Sequence, residues 1–98
     1  MTVHKIKNSV VTTVTADTAN DTWLVTKSGA IDTLTTGINA GSDKDGREII
    51  VQGHVYGVNY GIIFGLAGEG AGHIVVEKGG DVGSANTAVL SQGDGQKI

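Results

Sequence analysis

The 98-residue chain has no cysteine and no proline, and aromatic residues make up only 4% of it. The absence of cysteine excludes a disulfide framework, a thiol nucleophile and a cysteine-based zinc site. So few aromatics leave little material for a conventional core of large side chains. No apolar run approaches the ~18 residues that a membrane-spanning helix needs. The opening residues, MTVHKIKNSV, lack an apolar signal core, so no Sec-type signal peptide is expected in them. The seven Lys and Arg are scattered and the net charge is −3, which argues against a nucleic-acid or anionic-membrane surface.

Glycine, by contrast, supplies 16 residues, more than twice the usual share of ~7%. Val and Thr are also abundant. This mixture favours many short strands joined by glycine-made corners. The length allows one domain. The stretch REIIVQGHVYGVNYGIIF, residues 47–64, packs β-formers around three glycines and shows no helical period.

Three windows of the chain align with one another. WLVTKSGAIDTLTTGINA begins at Trp23, IIVQGHVYGVNYGIIF at Ile49 and IVVEKGGDVGSANTAVLS at Ile74, at spacings of 26 and 25 residues. Ile98 lies 24 further on, where another unit would start. Gly29, Gly53 and Gly80 share a column, as do Ile31, Val55 and Val82, then Leu34, Val58 and Ala85. Gly37, Gly61 and Ala88 form a small-residue column, followed by the apolar column Ile38, Ile62 and Val89. Thr35, Asn59 and Asn86 form a polar one.

A period of ~25 residues accommodates three strands of four or five residues and three corners, at ~3.3 Å per residue. One such rung cannot bury its inward side chains alone, but stacking rungs builds a continuous core. The expected fold is therefore all-β: a short parallel β-helix of about three ~25-residue rungs. Its units run over 23–48, 49–73 and 74–97, with a fourth starting at 98. Residues 1–22 are expected to form a cap or an atypical first rung with one or two strands. The glycine column is expected at corners that need unusual backbone angles. The alternative is an antiparallel β-sandwich, which accounts for the strand content but not for the repeat. The inter-unit corners, GSDKDG (41–46), GLAGEGAG (65–72) and QGDG (92–95), differ in length as a coil tolerates. An end rung without a neighbour exposes unpaired backbone groups, so further rungs or a homo-oligomer are the expected partners.

GHIVVEKGGDVGSANTAVLSQGDGQKI resembles the degenerate β-helix repeats of large bacterial secreted proteins, the hemolysin-type calcium-binding and autotransporter-like adhesin families. Gly80, Val82, Ala88, Val89, Gly93 and Asp94 carry the resemblance. It implies a right-handed parallel β-helix, an extracellular or cell-surface location and a stalk-like or adhesive role. GGDVGSANT departs from the calcium-roll nonapeptide G-G-x-G-x-D-x-U-x at the glycine of position four and at the aspartate.

Candidate chemistry is sparse. Asp43 and Asp45 in SDKDG place two carboxylates before a glycine, an arrangement that suits calcium but equally a solvated Asx turn. His54 and Asp81 share a column, which predicts an imidazole held by a carboxylate on the outer face. Tyr60 shares a column with Thr36 and Thr87 and is expected to face outward, where an aromatic ring suits a sugar or a partner subunit. Glu48, Glu69, Glu77 and Asp81 supply carboxylates of the type that cleaves polysaccharides. His4 and His73 have no partner legible from the repeat. The reading favoured by the sequence is a non-enzymatic structural or self-association module with no cofactor. A carbohydrate-binding or carbohydrate-cleaving β-helix and a calcium-dependent repeat are the alternatives.

Overall fold

A computed structural model describes residues 2–16, 18, 20–40, 46–64 and 72–91. Among the described residues twelve strands make three four-stranded sheets. The chain visits the sheets in the same order four times. The first circuit is β1 (Val3–Ile6), β2 (Ser9–Val10) and β3 (Val14–Thr15). The second is β4 (Thr22–Val25), β5 (Ala30–Thr33) and β6 (Thr36–Ala40). The third is β7 (Arg47–Val51), β8 (His54–Gly57) and β9 (Tyr60–Phe64). The fourth is β10 (Gly72–Val76), β11 (Asp81–Ser84) and β12 (Thr87–Ser91). The strand orders are β1-β4-β7-β10, β2-β5-β8-β11 and β3-β6-β9-β12.

Every described strand pairing is parallel, which sets aside the antiparallel sandwich. The columns anticipated from the repeat are register neighbours. Ile31 pairs with Val55 and Val55 with Val82, while Ile38 pairs with Ile62 and Ile62 with Val89. The segment expected to give one or two strands gives three, and Val10 and Val14 join the two apolar columns as their first members. The signal was weak there because the first circuit is shorter and its strands β2 and β3 hold two residues each.

Inward positions from all three sheets meet in one core. Val25, Ile31, Ile38, Ile49, Val51, Val55, Ile62 and Ile74 are all fully buried. Alternation explains the selection: in β7, Arg47, Ile49 and Val51 are buried while Glu48 and Ile50 are partly open. A strand turns successive side chains to opposite faces, so the β-branched residues with inward parity carry the burial.

Arg47 shares that inward parity and is 1% exposed. Its Nη1 donates to Ala16 O at 2.9 Å and to Ala40 O at 2.7 Å. The guanidinium thus ties the last residue of β6 and the backbone just after β3 to the first residue of β7. Burying a charge is tolerable only when its donors are engaged in this way. The hydroxyl of Thr33 is the converse case, buried and without a hydrogen-bond partner.

The Gly29, Gly53 and Gly80 column corrects the expectation about glycine corners. Among the described glycines only Gly46 and Gly79 have positive φ, at 70° and 89°. The column glycines are required by close approach instead. A Cβ on Gly29 would fall on Ile6 O, one on Gly53 on Gly29 O and Thr26 O, and one on Gly80 on Val51 O. Each glycine lies directly against the carbonyls of the preceding circuit.

Two substitutions test this packing. Gly53→Ala should lower unfolding stability by at least about 2 kcal/mol in urea titration. Gly83→Ala, whose Cβ would meet only Tyr56 Cδ1 at 3.5 Å, should stay within about 0.5 kcal/mol of the parent. Separately, Thr33→Val should raise stability by about 1 kcal/mol, because it removes a buried hydroxyl that makes no bond.

Candidate functional site

The outward face of the sheet formed by β2, β5, β8 and β11 gathers the most chemistry. In β8, Val55 and Gly57 are buried, which turns His54 and Tyr56 outward. Register places His54 between Ala30 and Asp81, and Tyr56 between Asp32 and Gly83. His54 Nδ1 lies 2.9 Å from Asp81 Oδ2, with the side chains 43% and 67% exposed. The imidazole lies nearly parallel to the Tyr56 ring, at 4° with centroids 6.5 Å apart. Gly83 lies beside that ring, which a Cβ there would approach only to 3.5 Å.

An imidazole oriented by a carboxylate can move a proton, but catalysis by acyl transfer also needs an activated hydroxyl. The serine of the same strand as Asp81 is otherwise engaged: Ser84 Oγ donates to Val58 O at 3.1 Å and accepts from Asn86 N at 3.0 Å. An ion pair this exposed contributes no more than about 1 kcal/mol.

The other two histidines also have carboxylate partners in the neighbouring circuit. His73 Nδ1 lies 3.5 Å from Glu48 Oε2, across the register pair of β10 and β7. The sequence held this signal, since His73 and Glu48 stand immediately before the aligned Ile74 and Ile49. His4 Nε2 lies 2.9 Å from Asp21 Oδ2, and the imidazole stacks on Trp23 with centroids 4.8 Å apart. His4 and Trp23 are register partners, so the imidazole covers the indole from the open side of the first circuit. That partnership was invisible without knowing that residues 3–6 form a strand of the same sheet.

Asp21 is buried and its Oδ1 accepts from Thr2 N at 2.9 Å. The bond to His4, then the bond from Thr2, hold its carboxyl below the ordinary value of 3.8. Both bonds favour the charged form over the neutral acid.

Tyr60 is half-buried and lies on β9, in a different sheet from His54 and Asp81. Its column partners are Thr36 and Thr87 as expected. The structure therefore brings His54 and Asp81 together and leaves Tyr60 apart. Asp43 and Asp45 lie outside the described residues, as does Glu69. Glu77 accepts from Gln52 Nε2 at 2.9 Å on the outer surface. The Thr35, Asn59 and Asn86 column is joined chiefly through the backbone, with Asn59 N donating to Thr35 O at 2.9 Å. Asn86 reaches Val58 O through Nδ2 at 3.4 Å.

Among the described residues no three His, Asp or Glu side chains converge as a metal site would require. Among the described residues no helix is long and apolar enough to cross a membrane. No family model matches the chain, and neither a curated protein nor a solved structure shows significant similarity to it.

The Asp21 carboxylate gives a signed pH prediction. Its lowered pKa means that its contribution is fully present above 3.8 and is lost as pH falls through the folded-state value below that. Asp21→Asn should therefore be less stable than the parent at pH 7. The two denaturation midpoints should converge as pH falls below 3.8. A constant difference across that range would contradict this assignment.

Proposed function

We propose that the chain is a short parallel β-helix that serves as a non-enzymatic structural module. The observation that carries this reading is the register of the apolar columns, which runs through all four circuits in each of the three sheets. Such a unit is rigid along its stacking direction because each circuit is hydrogen-bonded to the next along three faces. The polar groups support the same reading. The buried Arg47 binds backbone carbonyls, and the three histidines each pair with a carboxylate of a neighbouring circuit. The repeat resemblance supports placing the module on a bacterial secreted or surface protein, in a stalk-like or adhesive role, with self-association as one mode of contact.

A second reading rests on the outer face of β5, β8 and β11. There the parallel rings of His54 and Tyr56 lie between the carboxylates of Asp32 and Asp81. A flat aromatic surface edged by acceptors suits a saccharide, whose C–H face stacks on the ring while its hydroxyls donate to carboxylates.

Glycan-array binding separates the two. The scaffold reading predicts no saturable binding by the parent chain. Saturable binding that is lost in Tyr56→Ala would favour the saccharide reading instead. A calcium titration followed by circular dichroism should show no gain of β-structure; a saturable gain would favour the calcium-dependent module.

A further inference from the structure

The outer face of the sheet formed by β1, β4, β7 and β10 carries an apolar column. In β4, Trp23 and Val25 are buried, while Leu24 between them is only half-buried. In β7, Ile50 stands in the same way between the buried Ile49 and Val51. Val75 follows the buried Ile74 in β10 and is half-buried too. Alternation turns all three outward. Register sets Leu24 beside Ile50 and Ile50 beside Val75, and Lys5 continues the column beside Leu24. Outer columns of the other two sheets are interrupted by polar groups, His54 and Asp81 in one and Asn39 in the other. A contiguous aliphatic stripe marks a contact surface more often than scattered apolar residues do.

Two polar columns flank the stripe. On one side register aligns Val3, Thr22, Glu48 and His73. On the other side stand Lys7, Thr26, Gln52 and Glu77, each directly after the last paired residue of its strand. Each column is joined within the chain. His73 Nδ1 lies 3.5 Å from Glu48 Oε2, and Gln52 Nε2 donates to Glu77 Oε1 at 2.9 Å. The two columns also complement each other circuit by circuit. Thr22 matches Thr26, the Glu48 carboxylate matches the Gln52 amide, and the His73 imidazole matches the Glu77 carboxylate. His73 Nε2 and the second amide proton of Gln52 are not used in the bonds within the chain.

We infer that this face binds a second copy of the chain about a two-fold axis that runs along the stacking direction, through the Leu24–Ile50–Val75 column. Such an axis turns the two sheets face to face, reverses strand direction and sets every circuit opposite its own copy. The central column then meets itself, and the flanking columns exchange places. Glu48 accepts from the partner's Gln52, and His73 donates through Nε2 to the partner's Glu77. One patch complementary to itself is what a closed two-fold contact requires. Because each circuit faces itself, the contact does not depend on how many circuits the chain has. The unfavourable row is the first, where Lys5 meets the partner's Lys5. A two-fold axis along the strands, between the second and third circuits, would gain Lys7 against Glu77. It would lose both polar matches, facing Glu48 with Thr22 and His73 with Val3. Four strands of this length span roughly 15 by 19 Å at the usual rise and strand spacing. That is less than the standard interface of about 800 Å² per partner, so the association is weak and reversible. This inference rests on the stacked-circuit reading and names the surface through which copies of the module meet.

Sedimentation of the parent over about 0.01–1 mM should show a reversible monomer–dimer equilibrium. Ile50→Glu should weaken it at least about tenfold. Lys5→Leu should tighten it at least about tenfold, because it removes the like-charged row and extends the apolar column. The second variant keeps the test decisive if the first loses its fold, which circular dichroism would report. The chain has no cysteine, so single thiols can map the axis. Mild oxidation should link Ile50→Cys to its own copy and leave Asp32→Cys, on another sheet, unlinked. In an equal mixture of Leu24→Cys and Ile50→Cys chains, the like-with-like links should exceed the mixed one. A parent that stays monomeric throughout, a dimer unmoved by Lys5→Leu, or an excess of the mixed link would overturn the inference. Slow amide exchange in β4–β9 of a monomeric parent would remove the dimer alone and leave the stacked circuits standing, whereas uniformly fast exchange would remove both.

Discussion

The whole molecule depends on one constraint: equivalent backbone positions in successive circuits must approach to the spacing of a parallel ladder, ~4.8 Å. That spacing brings each side chain against its counterpart above and below. It therefore selects residue type by column rather than by position along the chain. Apolar β-branched residues fill the inward columns, where each is buried against its counterparts in the neighbouring circuits. Glycine fills the columns where a Cβ would strike a carbonyl of the adjacent circuit. The low aromatic content follows from the same constraint, since large rings are hard to repeat at that spacing inside a narrow core.

Polar residues are governed by the spacing as well. Arg47 lies in an inward column, and the carbonyl groups of Ala16 and Ala40 receive its Nη1. Outside, the ladder places residues from neighbouring circuits side by side, and His–carboxylate pairs use that proximity at His54–Asp81 and His73–Glu48. At the open side of the first circuit, His4 stacks on Trp23 and engages Asp21. These pairs hold adjacent strands together locally. They contribute less to stability than the buried columns, because surface ion pairs are weak in water.

Much of this architecture was legible in the sequence because columns leave a periodic trace. Ile31, Val55 and Val82 could be aligned before any coordinates, and so could Gly29, Gly53 and Gly80. The reason for that glycine column was not legible, because close approach to a carbonyl and a positive φ select the same residue. The first circuit was obscured by its two-residue strands, and with it the His4–Asp21–Trp23 cluster, whose members come together only when β1 is placed beside β4. His54–Asp81 was readable as a shared column, whereas the separation of Tyr60 from that pair was not, since strand parity alone does not say which sheet a neighbouring strand joins. The acidic corner holding Asp43 and Asp45 lies outside the described residues, and the idea of calcium there rests on sequence alone.

A scaffold is a function of geometry rather than of any single side chain, and the account stands or falls on the columns. The most direct test is inter-strand nuclear Overhauser contacts in the assigned protein. The account predicts backbone contacts linking Ile31 to Val55 and Val55 to Val82, with a parallel series linking Ile38, Ile62 and Val89. Contacts of the antiparallel type, or pairings at spacings that do not follow the repeat, would contradict it.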